Sequence, residues 1–318
     1  MKEIGGYFGL EKLISNEYYK NLVSLNSGRN ALLYLLKAKN IKKIYIPYYL
    51  CDSVTNMLKM YDYDFEFYNI SSDFMPVFNK NINNNECLYI VNYYGQLDND
   101  KVIYLKEKYN QIILDNTHAF FQKPIEYIDT IYTCRKFFGV PDGAYLSTDT
   151  KIKDDLKIDI SKDRMIHILG RYEGTASEYY NDFQNNDEVF NSELLKYMSK
   201  LTHNILGAID YEEVREIRNE NYAYLDNKLG IYNKLKLNAP DGAFAYPFYR
   251  ENDIDIRKKL ASRKIYIPTL WPNVLSDVSE DGIEQNYAAN ILPLPCDQRY
   301  TVNDMNYIIR ELKEIILD

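Results

Sequence analysis

Over its first 150 residues the chain switches repeatedly between a helical and an extended hydrophobic period, and this alternation restricts the fold more than any other feature. Asn30 to Lys37 (NALLYLLK) has the apolar spacing of a helix, and Lys43 to Pro47 (KIYIP) is a short β-branched run. Cys51 to Met60 predicts a helix, and Asp64 to Ile70 (DFEFYNI) alternates like a strand. Glu86 to Tyr94 (ECLYIVNYY) predicts a buried strand and Lys101 to Tyr109 a helix. Gln111 to Leu114 (QIIL) predicts a strand stopped by Asp115. Ile125 to Tyr132 and Gly143 to Ser147 supply two more. Such alternation predicts an α/β layer on a mainly parallel central sheet between helices, with its ligand crevice at the carboxyl ends of the strands.

The pattern then changes. Leu156 to about Gln184 is weakly patterned and charge-rich, and Glu188 to Glu220 predicts a long helix broken near Gly207. Gly242 to Arg250 predicts a strand, Ile254 to Arg263 a helix and Lys264 to Pro268 another short strand. Thr301 to Leu317 predicts a terminal helix with Met305, Ile308, Ile309, Leu312 and Ile315 on one face. We expect a large domain over 1–205 and a smaller α+β C-terminal domain over 206–318.

Composition excludes several classes. With 38 Lys plus Arg against 46 Asp plus Glu the net charge is −8, which disfavours a nucleic-acid partner but leaves room for a local cationic pocket. The four cysteines (51, 87, 134, 296) lack CxxC spacing and read as reduced thiols of a cytoplasmic protein. The three histidines are too far apart to suggest a metal site. The start, MKEIGGYFGL, lacks the apolar core of a signal peptide, and no apolar run is long enough to cross a bilayer. Thirty-two tyrosines against 13 glycines reflect a coding bias, so the few glycines are expected where the backbone needs them.

Three features bear on chemistry. Ser27-Gly28-Arg29 precedes the helix at 30–37 and could aim free N–H groups at a phosphate; a plain N-cap with a turn glycine explains it as well. Asp115 ends a strand, with His118 three residues on; the carboxylate either enters the crevice or caps the next helix. Lys136 lies among aromatics in TCRKFF, where burial and Arg135 would lower its pKa and make it a usable nucleophile. The alternative is a lysine that snorkels to water.

In this order and spacing the three features resemble the fold-type-I pyridoxal-phosphate enzymes, in particular the DegT/DnrJ/EryC1/StrS sugar aminotransferase family. The resembling stretches are GGYFGLE (5–11), LNSGRNALLYLL (25–36), IPYYLCDSV (46–54), VNYYGQ (91–96), ILDNTHAF (113–120), TCRKFFGVPDGAYLST (133–148) and REIRNENYAYL (215–225), with ILPLP (291–295) before the last helix. The resemblance implies that Lys136 forms the internal aldimine with pyridoxal 5'-phosphate and that Asp115 pairs with the pyridine nitrogen. It places Ser27, Gly28 and Arg29 on the phosphate turn and Thr133 as a hydroxyl donor to phosphate. Tyr49, with Tyr48 as competitor, would stack on the cofactor, and His118 would lie beside its ring near the 3-hydroxyl.

The resemblance further implies transfer of an amino group from an amino acid, with glutamate the expected donor, to a keto sugar that is free or nucleotide-linked, in a homodimer. Tyr94 and Arg250 are candidate substrate contacts. The alternatives are a sugar dehydratase or lyase, and a non-catalytic relative that binds a sugar or a partner. Three departures bear on the substrate: Pro141-Asp142-Gly143-Ala144 stands for Gly-Glu-Gly-Gly, Arg29 for a threonine, and Asn92 for a histidine. Cys134, His118 and Asp115 could be drawn as a hydrolase triad, but nothing suggests an oxyanion hole. Trp271 is expected in a core or interface, or against a sugar face. Arg215 and Arg218 share a helix face, where solvated pairing with Glu212 or Glu213 is expected and contact with an acidic substrate is the alternative.

Overall fold

Eight strands form one sheet in the computed structural model, which describes residues 4–153, 155–250, 254–279 and 281–317. They are β1 (Val23–Leu25), β2 (Lys43–Pro47), β3 (Asp64–Ile70), β4 (Pro76–Val77), β5 (Glu86–Val91), β6 (Ile112–Asp115), β7 (Asp129–Thr133) and β8 (Ala144–Ser147). Their order is β1-β8-β7-β6-β5-β2-β3-β4. The run from β7 to β3 is parallel throughout. Antiparallel pairs close both ends, β1 and β7 with β8 on one side and β4 with β3 on the other. Pro76 lies in β4 at the sheet edge, where a missing donor does least harm.

The central strands are buried along nearly their whole length, β6 at all four residues, as befits a sheet covered on both faces. The covering helices include α1 (Gly28–Ala38), α2 (Asp52–Met60) and α3 (Asn99–Tyr109). Every residue of α1 from Asn30 to Leu36 is buried, so this helix is enclosed all round rather than amphipathic. Ser27 caps it, accepting from the Asn30 N–H at 3.2 Å, and Asp98 caps α3 through the Lys101 N–H at 2.9 Å.

The C-terminal part contains α4 (Ile166–Glu173), α5 (Tyr180–Ser192), α6 (Lys200–Leu206), α7 (Tyr211–Leu229), β9 (Tyr246–Tyr249), α8 (Ile254–Ser262), α9 (Val274–Asp277), α10 (Ile283–Asn290), β10 (Ile291–Leu294) and α11 (Val302–Leu317). Residues of α7, α8, α11 and the β9–β10 pair share a core of their own, centred on Leu225, Phe248, Leu292, Met305 and Leu312. No helix among the described residues is long and apolar enough to cross a membrane.

Two sequence expectations fail here. The helix expected over 188–220 does break at Gly207, where α6 ends, but it has a second break, an extended stretch between α5 and α6. Asn26 N–H donates to the Lys196 carbonyl at 3.0 Å, and the amides of Asn26 and Asn30 donate to the Leu194 carbonyl at 3.0 and 2.9 Å. Buried amides distant in sequence thus outbid local helix propensity. The segment 264–268 is not a strand either. Ile265 and Ile267 point into the core as their alternation implied, but β9 pairs with β10 instead, and Lys264 turns at φ 62°.

Candidate functional site

The parallel strands β2, β5, β6 and β7 deliver segments 48–51, 92–94, 115–118 and 133–136 to one edge of the sheet. The start of α1 meets them there. A Cβ on Gly28 would stand 2.7 Å from Thr133 Oγ1, so only glycine lets the helix N-terminus come this close to the end of β7. Gly28 and Arg29 occupy the first turn of α1, where N–H groups have no acceptor within the helix.

Asp115 is buried at the end of β6. Its Oδ2 accepts from the Tyr89 hydroxyl at 2.5 Å, and its Oδ1 accepts from the Thr117 N–H at 2.9 Å and from the Thr117 hydroxyl. Burial raises its pKa, while those donors and the nearby Lys136 pull it down. Oδ2 has one donor and a second lone pair still open. Thr117 gives its proton to Asp115, so the Thr133 hydroxyl, 3.1 Å from Thr117 Oγ1, has its own proton to offer to Thr117 or to a ligand.

Lys136 is exposed to solvent, yet protein crowds its amine enough for desolvation to lower its pKa, a combination expected on the floor of an open cleft. Cys51 raises that pKa, Arg135 lowers it, and Asp187 and Asp115 raise it. Among the described residues neither Lys136 nor Arg29 has a hydrogen-bond or ion-pair partner; the Lys136 Nζ lies over the Phe244 ring, 5.9 Å from its centroid. Arg29 also has its pKa lowered by burial, with Cys51 and Arg135 the strongest charge influences on it. Arg135 pairs with Asp187 of α5 and lies over Phe190 at 4.5 Å. Arg29, Arg135 and Lys136 therefore form a cationic cluster with one paired member.

His118 is 2% exposed, and burial holds its pKa well below the usual value. Its Nδ1 accepts a long bond from the Tyr94 N–H at 3.4 Å. This favours the tautomer with the proton on Nε2, leaving a neutral ring that donates from Nε2. Phe244 stacks on it at 4.1 Å and 8°, and Trp271 lies at 5.4 Å and 24°. Trp271 has φ 52°, rare for a bulky residue, and packs edge-on against Tyr49 at 4.5 Å.

The structure thus gathers Ser27, Gly28, Arg29, Asp115, His118, Thr133 and Lys136 at one edge. Tyr49 is 1% exposed beneath Tyr93 and Trp271, and Tyr48 stacks on Phe67 at 4.7 Å. Tyr94 is buried beside His118. Arg250 donates to the Ile316 carbonyl at 2.9 Å, at the end of α11. Cys134 is fully buried among aromatics, which pushes its thiol up and removes it as a nucleophile. Sequence reasoning missed Cys51, whose signal was its place two residues beyond Tyr49, and Phe244, which had none.

The group that fits is a planar, anionic one carrying an aldehyde. Unpaired N–H groups and Arg29 could take its phosphate, a free carboxylate lone pair could take a ring N–H, and an unpartnered amine could take the aldehyde. No group of three or more His, Cys, Asp or Glu able to hold a metal exists among the described residues.

No family model and no curated protein sequence matches the chain. Solved structures do. A DegT DnrJ EryC1 StrS aminotransferase from Brucella abortus is similar with TM-score 0.61 at 13% identity, over 92% of this chain and 85% of that one. Helicobacter pylori PseC, an aminotransferase involved in the biosynthesis of pseudoaminic acid, is similar with TM-score 0.58 at 16% identity, over 92% and 85%. Bacillus subtilis NtdA with bound cofactor PMP is similar with TM-score 0.66 at 13% identity, over 95% and 74%. The fold of this chain is the one these aminotransferases share.

Proposed function

We propose that the chain is a pyridoxal-phosphate-dependent aminotransferase that moves an amino group from an amino acid, with glutamate the donor, to a keto sugar. The observation that carries the reading is the unpartnered Lys136 amine at the strand edge that also presents Asp115 and the start of α1. Bound there, the cofactor would supply an electron-accepting pyridinium ring and an aldehyde able to take up an amino group.

The chain's residues have these parts. Gly28 and Arg29 N–H groups, the Arg29 guanidinium and the Thr133 hydroxyl hold the phosphate. Asp115 accepts the ring N–H and keeps that nitrogen protonated, its orientation fixed by Tyr89 and Thr117. His118, with its proton on Nε2, would be the donor for the ring hydroxyl oxygen. Lys136 anchors the cofactor and, when freed, carries the proton removed from the donor's α-carbon. Its lowered pKa leaves more of the amine uncharged at neutral pH.

Phe244 and Trp271, stacked around the buried His118, are the aromatic rings that could meet the apolar face of a sugar, and other structural neighbours named as sugar aminotransferases support that acceptor. The division near residue 205 belongs to this proposal: a separate core begins at Tyr222, while Leu206, Tyr211 and Val214 pack with Phe120 and Phe138 of the N-terminal part. A homodimer would cover the exposed apolar side chains of Tyr7, Phe8 and Tyr172, which are 99%, 95% and 92% exposed.

The test is an absorbance spectrum of the protein with added pyridoxal phosphate, beside Lys136→Ala. We expect a band near the visible edge that glutamate shifts with release of 2-oxoglutarate, and no such band in the variant. A band indifferent to amino donors favours the dehydratase or lyase alternative. A folded wild type without a band overturns the enzyme reading in favour of a binding protein.

A further inference from the structure

Arg218 does not pair on the surface as its place beside Arg215 suggested. Arg215 does, meeting Glu212 and Asp241. Arg218, one turn along α7, is 1% exposed. Its Nε donates to Gln298 Oε1 at 2.8 Å, one terminal nitrogen to the Ala243 carbonyl at 2.7 Å, and the other to the Phe137 carbonyl at 3.2 Å. The guanidinium also lies over the Phe137 ring at 4.5 Å.

Among the described residues no carboxylate bonds to this buried charge. Asp297 is near enough to favour it, but both its oxygens are engaged by Arg299 at 2.7 and 2.8 Å. Burial brings the Arg218 pKa down to about 10, with Asp297 and Cys296 opposing and Arg299 reinforcing. A buried ion satisfied only by neutral acceptors is a poor stabiliser compared with an apolar side chain of similar volume. Its advantage lies in the flat, fixed fork of donors, which holds several carbonyls in one geometry.

The residues it holds border the site. Phe137 directly follows Lys136, and its carbonyl takes a second bond from Gln298 Nε2 at 2.8 Å. Ala243 directly precedes Phe244, the ring that stacks on His118 at 4.1 Å and lies 5.9 Å from the Lys136 Nζ. The loop carrying Phe244 is otherwise pinned from outside the site. Asn219 Oδ1 accepts from the Gly242 N–H at 2.7 Å, and Gln96 exchanges two bonds with the backbone of Asn238.

We propose that Arg218 is a positioning residue that fixes Lys136 and Phe244 relative to one another, clamping the lysine turn of the N-terminal part to the Phe244 segment of the C-terminal part. It touches neither substrate nor cofactor and acts through Phe137 and Ala243. The proposal rests on Lys136 being the reactive amine. The groups that face this amine are Cys51 from the start of α2, Arg135 on its own turn, Asp187 from α5, Asp115 from β6 and His118 just beyond it. Loosening the clamp changes its distance to all of them.

The test uses the full chain as wild type, Arg218→Lys, Arg218→Gln and Gln298→Ala, each confirmed as folded by its melting curve at the assay temperature. Competitive acetylation with acetic anhydride across pH, read on the Lys136 peptide, reports this amine without any cofactor. Borohydride trapping of pyridoxal phosphate on the same peptide reports its capture. We expect both Arg218 variants to move the Lys136 profile by half a pH unit or more and to slow trapping about tenfold, with exposed lysines unchanged. Gln298 is only half buried, so water can reach the space its side chain leaves; Gln298→Ala should move both readouts the same way and slow trapping about threefold. It decides the matter if the Arg218 variants do not fold.

Folded variants with a wild-type Lys136 profile and trapping rate would overturn the proposal and leave Arg218 as a packing residue. If the wild type traps no pyridoxal phosphate while the acetylation profile still shifts in the variants, the clamp stands and the aminotransferase reading falls.

Discussion

Replacing Gly28 with alanine sets two opposing effects against each other at the start of α1. Alanine is favoured over glycine within a helix by about 0.5–1 kcal/mol. Against that, the new Cβ falls 2.7 Å from Thr133 Oγ1, well inside contact distance. Thr133 has little room to yield, because its hydroxyl lies 3.1 Å from Thr117 Oγ1 and Thr117 in turn holds Asp115. Overpacking of this kind costs about 1–3 kcal/mol, so the clash wins and the variant loses a net 1–2 kcal/mol or so. For a domain of this size that lowers the melting temperature by about 2–6 °C. Displacing the helix start also weakens one charge-assisted bond to phosphate, about 1.5–3 kcal/mol, or roughly tenfold to hundredfold in the dissociation constant for pyridoxal phosphate. Thermal melts and an absorbance titration with the cofactor measure both. Thr133→Ala removes the clashing oxygen, so the double variant should be more stable than the two single losses predict, by about 1 kcal/mol. A Gly28→Ala protein that melts at or above wild type and binds the cofactor unchanged would refute the argument.

Two further outcomes are expected. Burial keeps His118 neutral well below its ordinary pKa of 6.5, so below that pH the unfolded chain binds more protons than the folded one. Stability then falls as pH drops through 6.5, by up to about 1.4 kcal/mol per pH unit, until the folded pKa is reached. Denaturant midpoints at pH 7 and pH 5 should fall less in His118→Gln than in wild type; equal slopes would show that His118 does not contribute. Trp271 is the only tryptophan of the chain and lies 5.4 Å from the His118 ring, so pyridoxal phosphate bound in the cleft should quench the protein's indole emission. Emission unchanged at saturating cofactor would place the cofactor elsewhere.

Much of the site was legible because it is built at sharp local events. A strand that stops at an aspartate, a Ser-Gly pair opening a helix and a lysine directly after a strand each mark where a parallel sheet ends, and such sheets bind ligands there. Asp115, Gly28 and Lys136 needed only register along the chain to meet. The aromatic partners were less accessible. Tyr49 looked as available as any ring in IPYYLC, yet it is packed under Trp271, while Cys51 is the group whose charge acts most on the lysine. Which of several neighbouring side chains faces the cleft depends on the turn between β2 and α2, and a one-residue shift there reverses the answer. Phe244 comes from more than 100 residues beyond Lys136 and carried no local sign of its role.

The sequence by itself determined the alternating α/β layer, the mainly parallel character of its sheet and the positions of the Ser-Gly turn, aspartate and lysine. These follow from hydrophobic period and from residues such as glycine and aspartate whose backbone or charge chemistry leaves few alternatives. Only the tertiary structure decided the fate of polar residues whose partners lie far along the chain. Asn26 and Asn30 draw 194–196 out of a helix, and Arg218 passes from an expected surface pair to a buried clamp on Phe137 and Ala243. A buried donor must find an acceptor wherever the fold provides one, and that requirement overrides local propensity without leaving a periodic trace in the sequence.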